Sequence, residues 1–212
     1  MGVVLLVRHG QASWGAADYD VLSPLGEEQA GILGAALAGR GITPDVVVHG
    51  ALLRQRRTAE IAAAAAGWDC PVVVDADWDE LDHVELMAVL PPDADADDPD
   101  RRFTAAVERW LTGRHEADYR ESFEAFGVRV QTALDAVTDQ VRESGLAVVV
   151  TSGGPIAWSS SRLVEGDAAT YRQLARVVVN TSVTTVVASA RGTTLVSFNE
   201  HLHVAGDRIT QR

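Results

Sequence analysis

Six short apolar runs alternate with helix-like stretches along the 212 residues of this chain, and that alternation constrains its fold most strongly. The runs lie at residues 3–7, 45–49, 72–74, 146–151, 184–189 and 194–198, and most are rich in β-branched residues. Strands separated by helices predict an α/β protein, read here as a three-layer α/β/α sandwich with a mostly parallel central sheet. A helix is expected after Ser23-Pro24, a capping residue with proline in the first helical position, and is expected to run to about Ala38. A second begins near Leu52 and runs through an alanine-rich stretch to Gly67. Further helices are expected at 102–111, 120–143 and 156–163. Residues 91–100 (PPDADADDPD) are acidic and proline-rich and predict an exposed loop.

The first run ends in Arg8, His9 and Gly10, within LLVRHGQAS. A strand end presents side chains at the open end of a sheet, and glycine lets the backbone turn close to a bound group. Imidazole serves as nucleophile, acid or base near neutral pH, and a guanidinium matches phosphate or carboxylate oxygens with a planar fork. Ligands of open α/β sheets gather beyond the carboxyl ends of the strands. The fourth run reaches a similar point at Ser152-Gly153-Gly154-Pro155, where a strand-to-helix turn frees backbone amides for an anion. Arg54 opens the helix after the second run and is the best-placed cation to join Arg8 over one anion. Arg56 and Arg57, beside it, read equally well as a solvated basic patch.

Charge removes several alternatives. All 18 basic residues are arginine, against 30 acidic ones, for a net charge of −12. Without lysine there is neither a Schiff base nor a P-loop. Nucleic acid is not expected as a partner, since phosphate backbones are held by basic surfaces. No apolar stretch approaches the roughly 20 residues that span a bilayer, so no membrane association is expected. The lone Cys70 fits a reducing compartment, and a cytoplasmic protein is expected. No metal and no cofactor are expected. His201 and His203 alternate on an extended segment but read as a solvated tail, and Trp14 and Trp78 read as packing residues before ring-stacking ones.

The order Arg8-His9-Gly10, Leu22-Ser23-Pro24-Leu25-Gly26 with Gln29-Ala30, Leu53-Arg54 with Thr58-Ala59, and Val150-Thr151-Ser152-Gly153-Gly154 resembles the histidine phosphatase superfamily, the phosphoglycerate mutase-like proteins. Asn180 also stands where that family often has asparagine. The resemblance covers most of the chain. It implies a single domain over residues 1–212 with an insertion at about 83–125 that shapes the substrate pocket. It implies a phosphomonoester hydrolase with His9 as the phosphorylated nucleophile, Arg8 and Arg54 on the phosphoryl oxygens, and Glu80 as the proton donor. Asp82 and Glu85 are alternatives for the acid. Ser152, Gly153 and Gln11 complete the phosphate-binding set. A small-molecule phosphomonoester is the implied partner, and a homodimer stays open.

Three positions depart from the family pattern. Ser152 stands where a second histidine is usual, Gly50 where serine is common, and Gln11 where glutamate is common. Losing one preorganised donor to the reacting oxygens costs about 10²–10³ in rate. A catalytically weak phosphate-binding or regulatory protein of the same fold is therefore an alternative, and a phosphoglycerate-type mutase is another. His49 or His83 is placed in sequence to supply a replacement donor.

Overall fold

A computed structural model describes residues 1–13, 20–91 and 98–211. Its chain divides into two compact units, Met1–Glu80 with Thr132–Arg212, and Leu81–Gln131.

The first unit is built on one six-stranded sheet. Its strands are β1 (Gly2–Arg8), β2 (Val46–His49), β3 (Val72–Val74), β4 (Leu146–Thr151), β5 (Val183–Ser189) and β6 (Gly192–Glu200), in the order β3-β2-β4-β1-β5-β6. The pairings β3–β2, β2–β4 and β4–β1 are parallel, whereas β1–β5 and β5–β6 are antiparallel. Three of the five pairings are thus parallel, as a mostly parallel sheet requires, and the antiparallel ones are confined to β5 and β6. A run of β-branched residues carries no mark of its direction, and the short turn between β5 and β6 can only make a hairpin. Strands β2 and β4 and most of β1 are buried, which requires cover on both faces at the centre of the sheet. The edge strand β3 is exposed.

Helix α1 (Pro24–Gly39) begins as its sequence predicts: Ser23 Oγ accepts from the Gly26 amide, and Pro24 fills the first turn. Helix α2 (Leu53–Ala66) stops at Gly67, whose φ of 67° lies in the left-handed region. These two helices pack through small residues. A Cβ placed on Gly34 would lie 2.2 Å from the Ala62 carbonyl oxygen, so the two backbones touch directly. Leu33 and Leu37 of α1 and Ala59 and Ala62 of α2 then close a core with Leu5, Val7, Val47, Val148, Val150 and Val183 of the sheet.

The second unit holds α3 (His83–Ala88), α4 (Pro99–Leu111) and the start of α5 (Phe123–Val141), whose end belongs to the first unit. Trp110 meets the edges of Phe123 and Phe126 at 5.1 and 5.4 Å, and its indole N–H bonds the Glu121 carbonyl. The predicted boundaries of α4 and α5 move by three residues at their starts. Asp98 caps α4 and Pro99 occupies its first turn, so the end of the expected acidic loop is helical; residues 92–97 lie outside the described residues. Helices α3 and α7 (Ala168–Ala175) were not expected. Helix α6 (Gly153–Leu163) starts three residues earlier than its apolar pattern suggests, since the glycines themselves are helical. Among the described residues no helix is long and apolar enough to cross a membrane.

Two glycines of α1 should respond in opposite directions to alanine. Nothing lies within 4 Å of a Cβ on Gly31, so Gly31→Ala should stabilise by about 0.5–1 kcal/mol through helix propensity. Gly34→Ala forces α1 from α2 and should destabilise by about 1–3 kcal/mol. Urea denaturation midpoints at a constant slope test both.

Candidate active site

The pairing of β1 with β4 sets Arg8 opposite Thr151, and so brings the ends of the two motif-bearing strands together. His9 leaves β1 with its amide bonded to the Thr151 carbonyl at 2.9 Å. Its own carbonyl accepts from Asn180 Nδ2 at 3.0 Å. Thr181 donates its amide to the Arg8 carbonyl at 3.0 Å from a left-handed conformation, φ 59°. That conformation is costly for a β-branched residue, so the segment around Thr181 is held against strain to grip the end of β1. Next in the chain, the Gly10 amide donates to Thr58 Oγ1 at 3.0 Å, and a Cβ there would fall 2.3 Å from the Gly26 carbonyl oxygen. Only glycine fits between β1 and the start of α1.

The His9 ring is buried and its two nitrogens are distinguishable. Nδ1 lies 2.7 Å from the Gly10 carbonyl oxygen, which can only accept, so Nδ1 carries the proton. Nε2 therefore presents a lone pair, and Arg54 Nε donates to it at 3.2 Å. Burial holds the ring's pKa well below the ordinary 6.5, and the charges of Arg54 and Arg8 lower it further. Arg54 sits in the first turn of α2, only 5% exposed, and its Nη1 donates to Asp20 Oδ1 at 2.7 Å. The other oxygen of Asp20 accepts the Leu53 amide at 2.8 Å. Asp20 thus fixes the guanidinium and the helix that carries it. No sequence motif marked it, because its role exists only once the chain before α1 meets the start of α2.

Arg8 points along the neighbouring turn. A Cβ on Gly153 would stand 3.8 Å from Arg8 Nε and 4.0 Å from Glu80 Oε2, so the guanidinium and the carboxylate converge over this glycine. Glu80 Oε2 accepts the Gly154 amide in the first turn of α6 at 3.1 Å, a placement the helix N-terminus favours. The phenol of Tyr171 is buried, and burial together with the Glu80 charge pushes its pKa well above the ordinary value. Of the alternative acids, Asp82 caps α3 through the Val84 and Glu85 amides, and Glu85 accepts the Arg120 amide; both are engaged within the second unit.

Ser152, fully buried before α6, makes no capping bond. Its Oγ accepts from Gln55 Nε2 at 2.9 Å. The same nitrogen donates to the Trp78 carbonyl at 3.1 Å, and Gln55 Oε1 accepts the Leu52 amide at 3.3 Å. Gln55 is buried on α2 and was not singled out in the sequence; an amide between arginines gives no signal of a partner just beyond β4. Gln11 is tied to α1: its amide bonds Gln29 Oε1 at 2.8 Å and its Oε1 accepts from Ser23 Oγ at 2.8 Å. Gln29 in turn donates to the Arg208 carbonyl at 2.7 Å and to Thr210 Oγ1 at 2.8 Å. Thr210 Oγ1 donates to Asn180 Oδ1 at 2.9 Å, so residues 208–210 brace the asparagine that holds His9.

Other expectations fall elsewhere. Arg56 and Arg57 are exposed and pair with Glu60 and Glu27, which makes them the solvated basic patch. His49 Nδ1 bonds its own neighbour's carbonyl, Gly50 O, at 2.6 Å, and His83 opens α3 in the second unit. Trp78 is fully buried and packs; Trp14 lies outside the described residues. His203 is half-buried rather than in a solvated tail, because the chain after β6 folds back over Leu37 and Val183. No cluster of three metal-ligating side chains occurs among the described residues.

Residues 4–201 match the family model of the histidine phosphatase superfamily, branch 1. The chain is 34% identical over 156 residues to a probable phosphoglycerate mutase of Erwinia tasmaniensis, covering 71% of this chain and 69% of that one. A 2,3-bisphosphoglycerate-dependent phosphoglycerate mutase of Thermobifida fusca is 46% identical over 74 residues, which are 32% of this chain and only 30% of the relative's length. A solved structure of a phosphoserine phosphatase mutant from Entamoeba histolytica, in complex with phosphoserine, superposes with a TM-score of 0.71. That likeness covers 97% of this chain and all of the other at 23% identity, and it is a likeness of fold.

The lowered pKa of His9 has a sign that can be read in solution. The unfolded chain takes up a proton near the ordinary value of 6.5, and the folded one only well below it. Between those values stability should fall as pH falls, by up to about 1.4 kcal/mol per pH unit for this one group. His9→Asn should flatten that part of the stability profile. The His9 ring signals should stay those of the neutral Nδ1–H tautomer as the pH is lowered through 6.5 in NMR spectra; titration of His9 at that ordinary value would contradict this reading.

Proposed function

This chain belongs to the histidine phosphatase superfamily, and we propose that it is a phosphomonoester hydrolase working through a phosphohistidine on His9. One observation carries the proposal: a buried imidazole whose Nδ1 is pinned by a carbonyl and whose Nε2 lone pair faces a guanidinium. When a phosphate monoester enters, its oxygens draw the Arg54 N–H groups and release the lone pair. Nε2 attacks phosphorus, the N–P bond forms and the bond to the ester oxygen breaks. The Nδ1–H bond to Gly10 then stabilises the positive ring. Arg8 and Arg54 offset charge on the nonbridging oxygens, where such preorganised donors act most strongly. The Gly153 amide, the Ser152 hydroxyl and the Gln11 side-chain NH2 complete the cradle.

Glu80 is the proposed general acid and base. Protonated, it gives its proton to the leaving oxygen; ionised, it takes one from the water that cleaves the N–P bond, and phosphate departs. Its bond to the Gly154 amide and its proximity to Arg8 favour it over Asp82 and Glu85. In this reading the helices flank the sheet in three layers within a single cytoplasmic domain. Ser152 motivates a second reading, a weak phosphate-binding or regulatory protein, because a neutral hydroxyl replaces the usual second imidazole. The phosphoglycerate mutases among the relatives keep a mutase in view.

Purified protein should hydrolyse an aryl phosphate, carry phosphate on His9 in rapidly quenched mass spectra, and lose both properties in His9→Ala. Glu80→Gln should lower kcat by about 10²–10⁴ on an alkyl phosphate, and less on an aryl phosphate with its better leaving group. Turnover without phosphorylated His9, or no turnover at all, defeats the hydrolase reading. Isomerised phosphoglycerate in place of free phosphate would make the protein a mutase.

A further inference from the structure

Two of the three departures from the family pattern meet on one side chain. A Cβ on Gly50 would lie 2.0 Å from Gln55 Oε1, which is the space the Gln55 amide occupies. From there the amide reaches Ser152 Oγ at 2.9 Å. Gln55, Ser152 and the Trp78 carbonyl are all buried, so their hydrogen bonds are made without competition from water.

The bonding around Gln55 leaves no choice of direction. Its Nε2 faces a carbonyl, which can only accept, and its Oε1 faces the Leu52 N–H, which can only donate. The amide orientation is therefore set by its partners. Both Nε2 hydrogens are then used, one on Trp78 and one on Ser152. Ser152 Oγ is held as an acceptor from the α2 side, and its own proton is left to point away from Gln55. Among the described residues that proton has no acceptor. Thr151, one residue before, bonds His9 through its backbone and Trp78 through its side chain at 2.5 Å. The serine is thus fixed at the strand end beside the nucleophile.

We propose that Gly50, Gln55 and Ser152 work as one unit in which Gln55 is a positioning residue that commits the Ser152 hydroxyl to donate into the phosphoryl site. The unit supplies a single directed neutral donor where the family pattern has an imidazole. Gly50 provides the room, Gln55 the direction and Ser152 the hydrogen bond. The inference rests on the hydrolase reading above and adds to it the source of the missing donor.

Gln55→Met keeps the size and apolar stem of the side chain but removes its donor. It should lower kcat on an aryl phosphate about five- to tenfold, as one misdirected hydrogen bond would, with a smaller change in KM. Affinity for orthovanadate should fall in parallel. In a Ser152→Ala background, Gln55→Met should then change neither quantity further. Gly50→Ala, which pushes the amide aside, should reproduce the loss and add nothing to Gln55→Met. Losses that multiply across the double variants, or a lowered melting temperature with kcat and vanadate affinity intact, overturn the proposal and leave Gln55 a packing residue. If the wild type binds vanadate with this coupling but never turns over, the hydrolase reading fails and the donor unit stands as part of an anion cradle. Absence of vanadate binding by the wild type overturns both.

Discussion

The parallel pairing of β1 with β4 is the constraint on which this site depends. Because Arg8 lies opposite Thr151, the first residue beyond each strand is set beside the other, His9 next to Ser152. A slip of one residue would turn every side chain to the opposite face and drive His9 out of its bonds to Gly10 and Arg54. Burial on both faces of these strands makes such a slip expensive, since every apolar side chain would leave the packing it fills on either face. The geometry of the candidate site is therefore specified by the same contacts that build the core. Thr58 extends the coupling to α2: its hydroxyl accepts the Gly10 amide and donates to the Arg54 carbonyl at 2.7 Å.

Electrostatics at this strand end runs against the character of the chain. The protein carries a net charge of −12, yet two guanidiniums flank a buried neutral ring. A buried charge without a partner is costly, and Asp20 supplies Arg54 with one. Burial first, and then the same pair of guanidiniums, favour the unprotonated imidazole. Local concentration of positive charge also opposes the protein's general repulsion of anions, so approach of a phosphate ester depends on this site being focused.

Much of this architecture was legible from residue types and spacing. The six strands, the caps of α1 and the motif-bearing strand ends followed from apolar runs, Ser23-Pro24 and paired glycines. What escaped shares a physical cause. The direction of β5 has no local signature, because β-branched residues suit parallel and antiparallel neighbours alike. Helix α3 is a single short turn-rich segment whose cap, Asp82, read equally well as a candidate acid. Asp20 and Gln55 carry roles created only by tertiary contact, one with the first turn of α2 and one across to β4. The bond between Gln55 and Ser152 escaped for the same reason, since nothing in the order of residues ties position 55 to position 152.

Residues 208–210 give the site a dependence on time as well as on space. Gln29 and Asn180, which hold the backbone around Gln11 and His9, are themselves held by Arg208 and Thr210. His9 is synthesised long before residues 208–210, which brace its surroundings. A chain folding as it is synthesised can form β1, α1, α2 and β4 in turn. The bonds to Gln29 and Asn180 are added only once residues 208–210 arrive. The surroundings of His9 are thus completed after the strands and helices that carry them, by residues from the far end of the sequence order.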